Sequence, residues 1–237
     1  MSEKLRIHKY LSQAGICSRR KAEDYIERGL VTINWEKAKI WDMIDPEVDD
    51  VKFLEKAVEE QKNLVYYKLN KPGWIVTTCA STGDKSILDI VDIKERVFPI
   101  GRLDKETTGL ILLTNDGRLA NYLMHPRYEH EKQYVVETFW PINDEQLEKM
   151  AKGVFILWKY TKKAEIERIS SWKFFITIKE WRNRQIRRML EAVEGTVKRL
   201  KRIRIENIEL GDLPIWSYKR LTDKELKELF RILWIQK

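Results

Sequence analysis

Apolar residues change their spacing several times along the chain. Ile7, Tyr10, Leu11 and Ala14 recur at helical spacing and Gly15 follows as a stop, which predicts a short first helix. Ser18 then stands where an N-cap belongs, ahead of Ala22, Tyr25 and Ile26 and a second stop at Gly29. Val31-Thr32-Ile33 and Lys37-Ala38-Lys39-Ile40 alternate around a tight turn at Asn34-Trp35, so two helices lead into a hairpin and make a module of roughly fifty residues. From Asp42 to Asn63 the chain is acidic, then mixed in charge, with few periodic apolar positions. A domain boundary is expected there near residue 58, giving domains 1–58 and 59–237.

Beyond it, strand-like runs recur at 64–69, 75–78, 110–114, 132–138, 164–169 and 174–179. Helical patterns interrupt them at 119–124, 145–152 and 184–193. Thr222-Asp223-Lys224-Glu225 reads as a capping box that opens a last helix with Leu226, Leu229, Phe230 and Leu233 inward. The expected fold class is α+β: a small two-helix-plus-hairpin domain, then a domain built on a mostly antiparallel mixed sheet. There is no internal repeat.

Composition narrows the partner. A 43% hydrophobic content supplies a core, and no stretch approaches the roughly 20 apolar residues of a membrane span. With Glu3, Lys4 and Arg6 the start lacks the apolar segment of a secretion signal, so the cytoplasm is expected, and Cys17 and Cys79 are read as buried thiols. The net charge is +8. It is concentrated between Arg182 and Arg204, where Arg182, Arg184, Arg187, Arg188, Lys198, Arg199, Lys201, Arg202 and Arg204 face only Glu191 and Glu194. Such a cluster suits a phosphate backbone, whose contacts give affinity and register rather than sequence choice.

One loop concentrates the candidate chemistry. Gly101-Arg102-Leu103-Asp104-Lys105-Glu106-Thr107-Thr108-Gly109 sets a carboxylate between two glycines just before Leu110-Ile111-Leu112-Leu113. An aspartate in such a loop is, by itself, more often a turn or capping residue than a nucleophile. Its neighbours change that weighting. The loop occurs together with Asn70-Lys71-Pro72, Phe98-Pro99-Ile100, Leu113-Thr114-Asn115-Asp116-Gly117, Leu123-Met124-His125-Pro126, Glu131-Lys132-Gln133-Tyr134 and Arg184-Gln185-Ile186-Arg187. In this order the motifs resemble the RsuA family of ribosomal RNA pseudouridine synthases. Arg19, Arg20 and Lys21 at the start of the second helix complete a pattern similar to the RNA-binding domain of ribosomal small-subunit protein four. Gly153 to Leu157 followed by Thr161-Lys162-Lys163 leans toward the large-subunit members RluB and RluF.

The resemblance implies a division of labour. Asp104 is the catalytic nucleophile, Arg187 its electrostatic partner and Tyr134 the ring that meets the uracil. Arg19, Arg20, Lys21, Arg102, Lys132, Arg182, Arg184 and Arg188 are the expected RNA contacts. The expected partner is ribosomal RNA of the large subunit (23S), or a ribosome assembly intermediate, met by a monomer with no membrane role. The isomerisation needs neither cofactor nor metal, and His8, His125, His130, Cys17 and Cys79 lack paired metal-ligand spacing. The contrasting reading is a non-catalytic assembly factor that only binds rRNA.

Tryptophan is out of place. The chain has nine Trp and ten Gly. Trp35 occupies a hairpin position that favours glycine, and the family pattern implies glycine at Trp41, Trp74, Trp140, Trp158, Trp181 and Trp216 as well. Restoring all seven would raise the glycine share from about 4% to the usual roughly 7%. If all seven sat in left-handed backbone they would cost about 7–14 kcal/mol. A typical total stability is roughly 5–15 kcal/mol. These positions are therefore expected to be glycine codons in the host's own code.

Overall fold

The computed structural model describes residues 4–59, 61, 63–79 and 83–234. It divides into two compact units. The first comprises 1–65 with 93–97 and 115–117, so the chain passes to the second between Val65 and Tyr66, beyond the boundary expected near residue 58.

In the first unit a short strand β1 (Leu5–Arg6) leads into α1 (Ile7–Gln13) and α2 (Arg19–Glu27). Gly15 ends the first helix with φ of 79°, and the Ser18 side chain accepts from the Lys21 amide to open the second. Strands β2 (Val31–Ile33) and β3 (Glu36–Lys37) form the expected hairpin, and β4 (Met43–Ile44) pairs with β1. The acidic segment read as a boundary holds a second hairpin, β5 (Val51–Phe53) and β6 (Lys56–Ala57), giving a sheet in the order β3-β2-β5-β6. Strands of two or three residues are too short to leave a periodic signal. Ile7, Leu11, Ala22, Val31 and Ile44 are fully buried in the unit's core, and the Tyr10 hydroxyl donates to the Val58 carbonyl at 2.8 Å.

The second unit is built on a sheet that has nine strands among the described residues. They are β7 (Tyr66–Lys71), β8 (Phe98–Ile100), β9 (Thr108–Thr114), β10 (Lys132–Thr138), β13 (Glu165–Ser170), β14 (Lys173–Ile178), β15 (Val197–Ile205), β16 (Ile208–Glu209) and β17 (Tyr218–Arg220). The main order is β13-β14-β10-β15-β9-β7-β17, with β8 on β9 and β16 on β15. Only β15 and β9 run parallel, so the sheet is mixed and mostly antiparallel as expected. A separate hairpin joins β11 (Phe155–Ile156) to β12 (Lys159–Tyr160).

Helices α3 (Gly117–Met124), α4 (Asp144–Lys152), α5 (Gln185–Glu191) and α6 (Asp223–Ile232) match the predicted helical patterns to within a few residues. Thr222 and Glu225 form the anticipated capping box, and Asn143 and Gln146 form another. Leu110 and Leu112 of β9 meet Leu119 and Leu123 of α3 and Leu229 and Phe230 of α6 in one apolar core.

Three expectations change. The run 75–78 is not a strand; Val76 makes only an isolated bridge to Ser86. Cys79 in the following loop is accordingly exposed, whereas Cys17 is buried. Much of the basic cluster is the strand β15, whose five Lys and Arg residues hid it while Val197, Leu200 and Ile205 anchor it inward.

Candidate active site

The loop that carries Asp104 is pinned from several sides. Thr77 Oγ1 donates to the Leu103 carbonyl at 3.0 Å and accepts from the Leu103 amide at 3.3 Å. The Thr107 amide closes a turn on the Asp104 carbonyl at 3.0 Å. Lys71, fully buried at the end of β7, donates from Nζ to the carbonyls of Pro72 at 2.8 Å and Lys105 at 3.2 Å. Gly109 continues the chain into β9 where the backbone meets β15 so closely that a Cβ would lie 2.2 Å from the Arg202 carbonyl oxygen. Such fixation is what a nucleophile needs.

Sheet order brings the other groups in. β9, β15 and β10 are neighbours, so Tyr134 on β10, cross-strand from Arg202, comes to the side of the Asp104 loop. The β14-to-α5 connection supplies Trp181, Arg182 and Arg184, and α5 starts with Gln185 and Ile186. All of these line one cleft with Arg102, Asp104, Thr107 and Tyr134. Its volume is about 50 Å³, well short of the roughly 300–1,000 Å³ of a small-molecule site. The Trp181 ring contributes to the narrowness. It lies so close over Gly101 that a Cβ there would be 2.3 Å from its Cη2.

Cations are arranged differently from expectation. Arg187 pairs with Glu106 at 3.3 Å, and among the described residues no ion pair within 4.0 Å joins it to Asp104. Its Nε is buried with no hydrogen-bond partner among the described residues, as is Oγ1 of Thr107, the residue after Glu106. Lys71 was legible only as part of Asn70-Lys71-Pro72. Burial lowers its pKa to about 8, and the negative charge of Asp104 opposes that fall.

The expected RNA contacts separate into two groups. Arg19, Arg20 and Lys21 are exposed at the start of α2, with Arg19 Nε donating to His8 Nδ1 at 3.2 Å. Arg102 and Arg184 are exposed in the second unit, and Arg188 is half-buried against Asn183. Lys132 and Arg182 are not on the surface in that sense. Lys132 is buried, donates to the His130 carbonyl at 3.0 Å, and has its pKa lowered by burial, then by Arg202, to about 8. Arg182 binds Glu180 and the carbonyls of Lys159 and Tyr160, tying down the hairpin of β11 and β12. Arg202, counted in the basic cluster, is 1% exposed and donates to the Leu110 carbonyl at 2.7 Å. These three side chains are engaged within the fold.

Comparison with known proteins gives the same direction. Residues 65–192 match the family described as RNA pseudouridylate synthase, and residues 5–44 match the S4 domain. A "Dual-specificity RNA pseudouridine synthase RluF" of Escherichia coli O6:H1 is 44% identical, over 97% of this chain and 79% of its own length. "Ribosomal large subunit pseudouridine synthase B" of Bacillus subtilis is 36% identical, over 94% of this chain and 95% of its own. A solved structure described as a pseudouridylate synthase superposes with a TM-score of 0.71 at 29% identity, covering 95% of this chain and 99% of that one. With family, relatives and fold in agreement, this chain belongs to the RNA pseudouridine synthases, an isomerase family, in the S4-domain-bearing RsuA branch.

Proposed function

We propose that the enzyme converts a particular uridine of ribosomal RNA, in the large subunit, to pseudouridine, with Asp104 as the nucleophile. The supporting observation is that Asp104 and Tyr134, thirty residues apart in sequence, line one cleft together with the start of α5. The large-subunit assignment leans on the Bacillus subtilis relative.

The reaction breaks the bond between the sugar's C1′ and N1 of uracil, turns the base, and joins C1′ to C5. The proton on C5 is lost and N1 gains one, so no oxidant, reductant or net water is required. Asp104 serves this chemistry as a carboxylate, and the buried Lys71 holds the carbonyl of the adjacent Lys105. Tyr134 offers a ring face to the base and a hydroxyl near it. Arg187 holds the loop through Glu106. A base in folded RNA must be swung out, at a cost of about a few kcal/mol. Arg102, exposed on the same loop, fills the vacated stack or grips a phosphate in this reading.

Mapping pseudouridine across the rRNA of the host with and without this gene tests the reading. Loss of a large-subunit position in the strain lacking the gene supports it. An unchanged map overturns it.

A further inference from the structure

Among the described residues thirteen non-glycine positions have positive φ, and five are tryptophan: Trp35 (69°), Trp74 (67°), Trp158 (63°), Trp216 (70°) and Trp234 (54°). The chain has only nine tryptophans. Left-handed backbone occurs at roughly a few per cent of non-glycine residues and is an outlier for a bulky one. More than half of one bulky residue type therefore sits where glycine is favoured.

Each turn has its own demand. Asn34–Trp35 between β2 and β3, and Leu157–Trp158 between β11 and β12, are two-residue hairpin turns with both central residues left-handed, the form that favours glycine second. Trp216 is the third residue of a turn closed by the Ser217 amide on the Pro214 carbonyl at 3.1 Å, and its positive φ is the type II requirement for glycine. Trp234 follows Leu233, the C-cap of α6, in the left-handed place that commonly ends a helix. Leu54–Glu55 shows that the fold tolerates a turn of this kind without glycine, so it is the concentration on tryptophan that needs a cause.

Packing does not supply one. Trp35, Trp74, Trp158 and Trp234 are 79%, 71%, 93% and 90% exposed. Lysines stand over two rings, Lys52 at 5.7 Å from Trp35 and Lys85 at 5.5 Å from Trp216, contacts open to any exposed ring on a basic surface. Trp181 has an ordinary φ but a different conflict, since its ring lines the cleft that holds Asp104 and crowds Gly101. Trp41 and Trp140, also expected to be glycine, are exposed at ordinary φ and are left out.

We propose that the protein made by its own host carries glycine at positions 35, 74, 158, 181, 216 and 234, because the host reads as glycine a codon, UGA being the candidate, that is rendered here as tryptophan. This goes beyond the proposed function and does not depend on it. The backbone then relaxes in five turns, and the cleft opens next to the nucleophile.

Peptide mass mapping of the protein purified from the host decides. Peptides covering the six positions are expected to be lighter by the Trp-to-Gly difference at each one. Tryptophan at these positions overturns the proposal. As a second readout, the printed sequence and a variant with all six Trp→Gly changes are compared by thermal melting. The variant is expected to melt at least several degrees higher, and an equal or lower melting temperature counts against the proposal.

Discussion

Lys71 illustrates how one residue links burial to chemistry. Its ammonium is held in a fully buried position by two carbonyls, with its pKa near 8 rather than the ordinary 10.5. The unfolded chain keeps the proton between those two values, so the contribution of this group to stability rises with pH across that window. Activity is expected to move the other way. Above about pH 8 Lys71 loses the charge that strengthens its hydrogen bonds to the Pro72 and Lys105 carbonyls beside Asp104, and the rate on rRNA should fall. Lys71→Met is expected to lower the rate by roughly tenfold or more and to abolish that alkaline limb. Lys132 titrates in the same range but donates to His130, so Lys132→Met should keep the limb. Rate-against-pH profiles of the three proteins check this, and an unchanged limb in Lys71→Met would count against Lys71.

Elements with local signals were legible in the sequence. Ser18 and Thr222 were read as caps because a short polar side chain before an apolar period has a backbone amide to accept from, and both do so. Thr222→Ala should therefore cost about 1 kcal/mol in a denaturant melt. Gly109 tests a contact that no local pattern shows, the approach of parallel β9 and β15. A Cβ there meets a backbone oxygen at 2.2 Å in a residue with φ of 100°. Gly109→Ala is expected to cost about 2–5 kcal/mol, several times the cap, by the same melt. If the two variants lose equal stability, the close strand pairing is less tight than described. The strand β15 itself was hidden because charge is read as surface, whereas Arg202 is buried and donates from Nε to the Leu110 carbonyl inside the sheet. The internal partners of Lys132 and Arg182 were hidden in the same way. The Asp104–Arg187 pairing likewise depends on side-chain directions that linear spacing cannot supply.

For the whole molecule, the family and the fold class were legible because motifs in a fixed order constrain a chain far more than composition does. RNA affinity should behave as a sum of exposed charges. Replacing Arg19, Arg20 and Lys21 together by alanine is expected to leave the melting temperature unchanged and to weaken rRNA binding. The slope of log affinity against log salt should shrink by up to about 3 if all three meet phosphates. Filter binding across a salt series measures it, and an unaltered slope would remove these residues from the interface. The central claim is that the carboxylate at 104 performs the isomerisation. Its most direct test incubates purified wild-type protein and Asp104→Asn with host rRNA and counts pseudouridine formed per RNA over time. The expected result is RNA retention by both proteins, with the variant slower by at least about 10⁴-fold. Comparable pseudouridine formation by Asp104→Asn would contradict it.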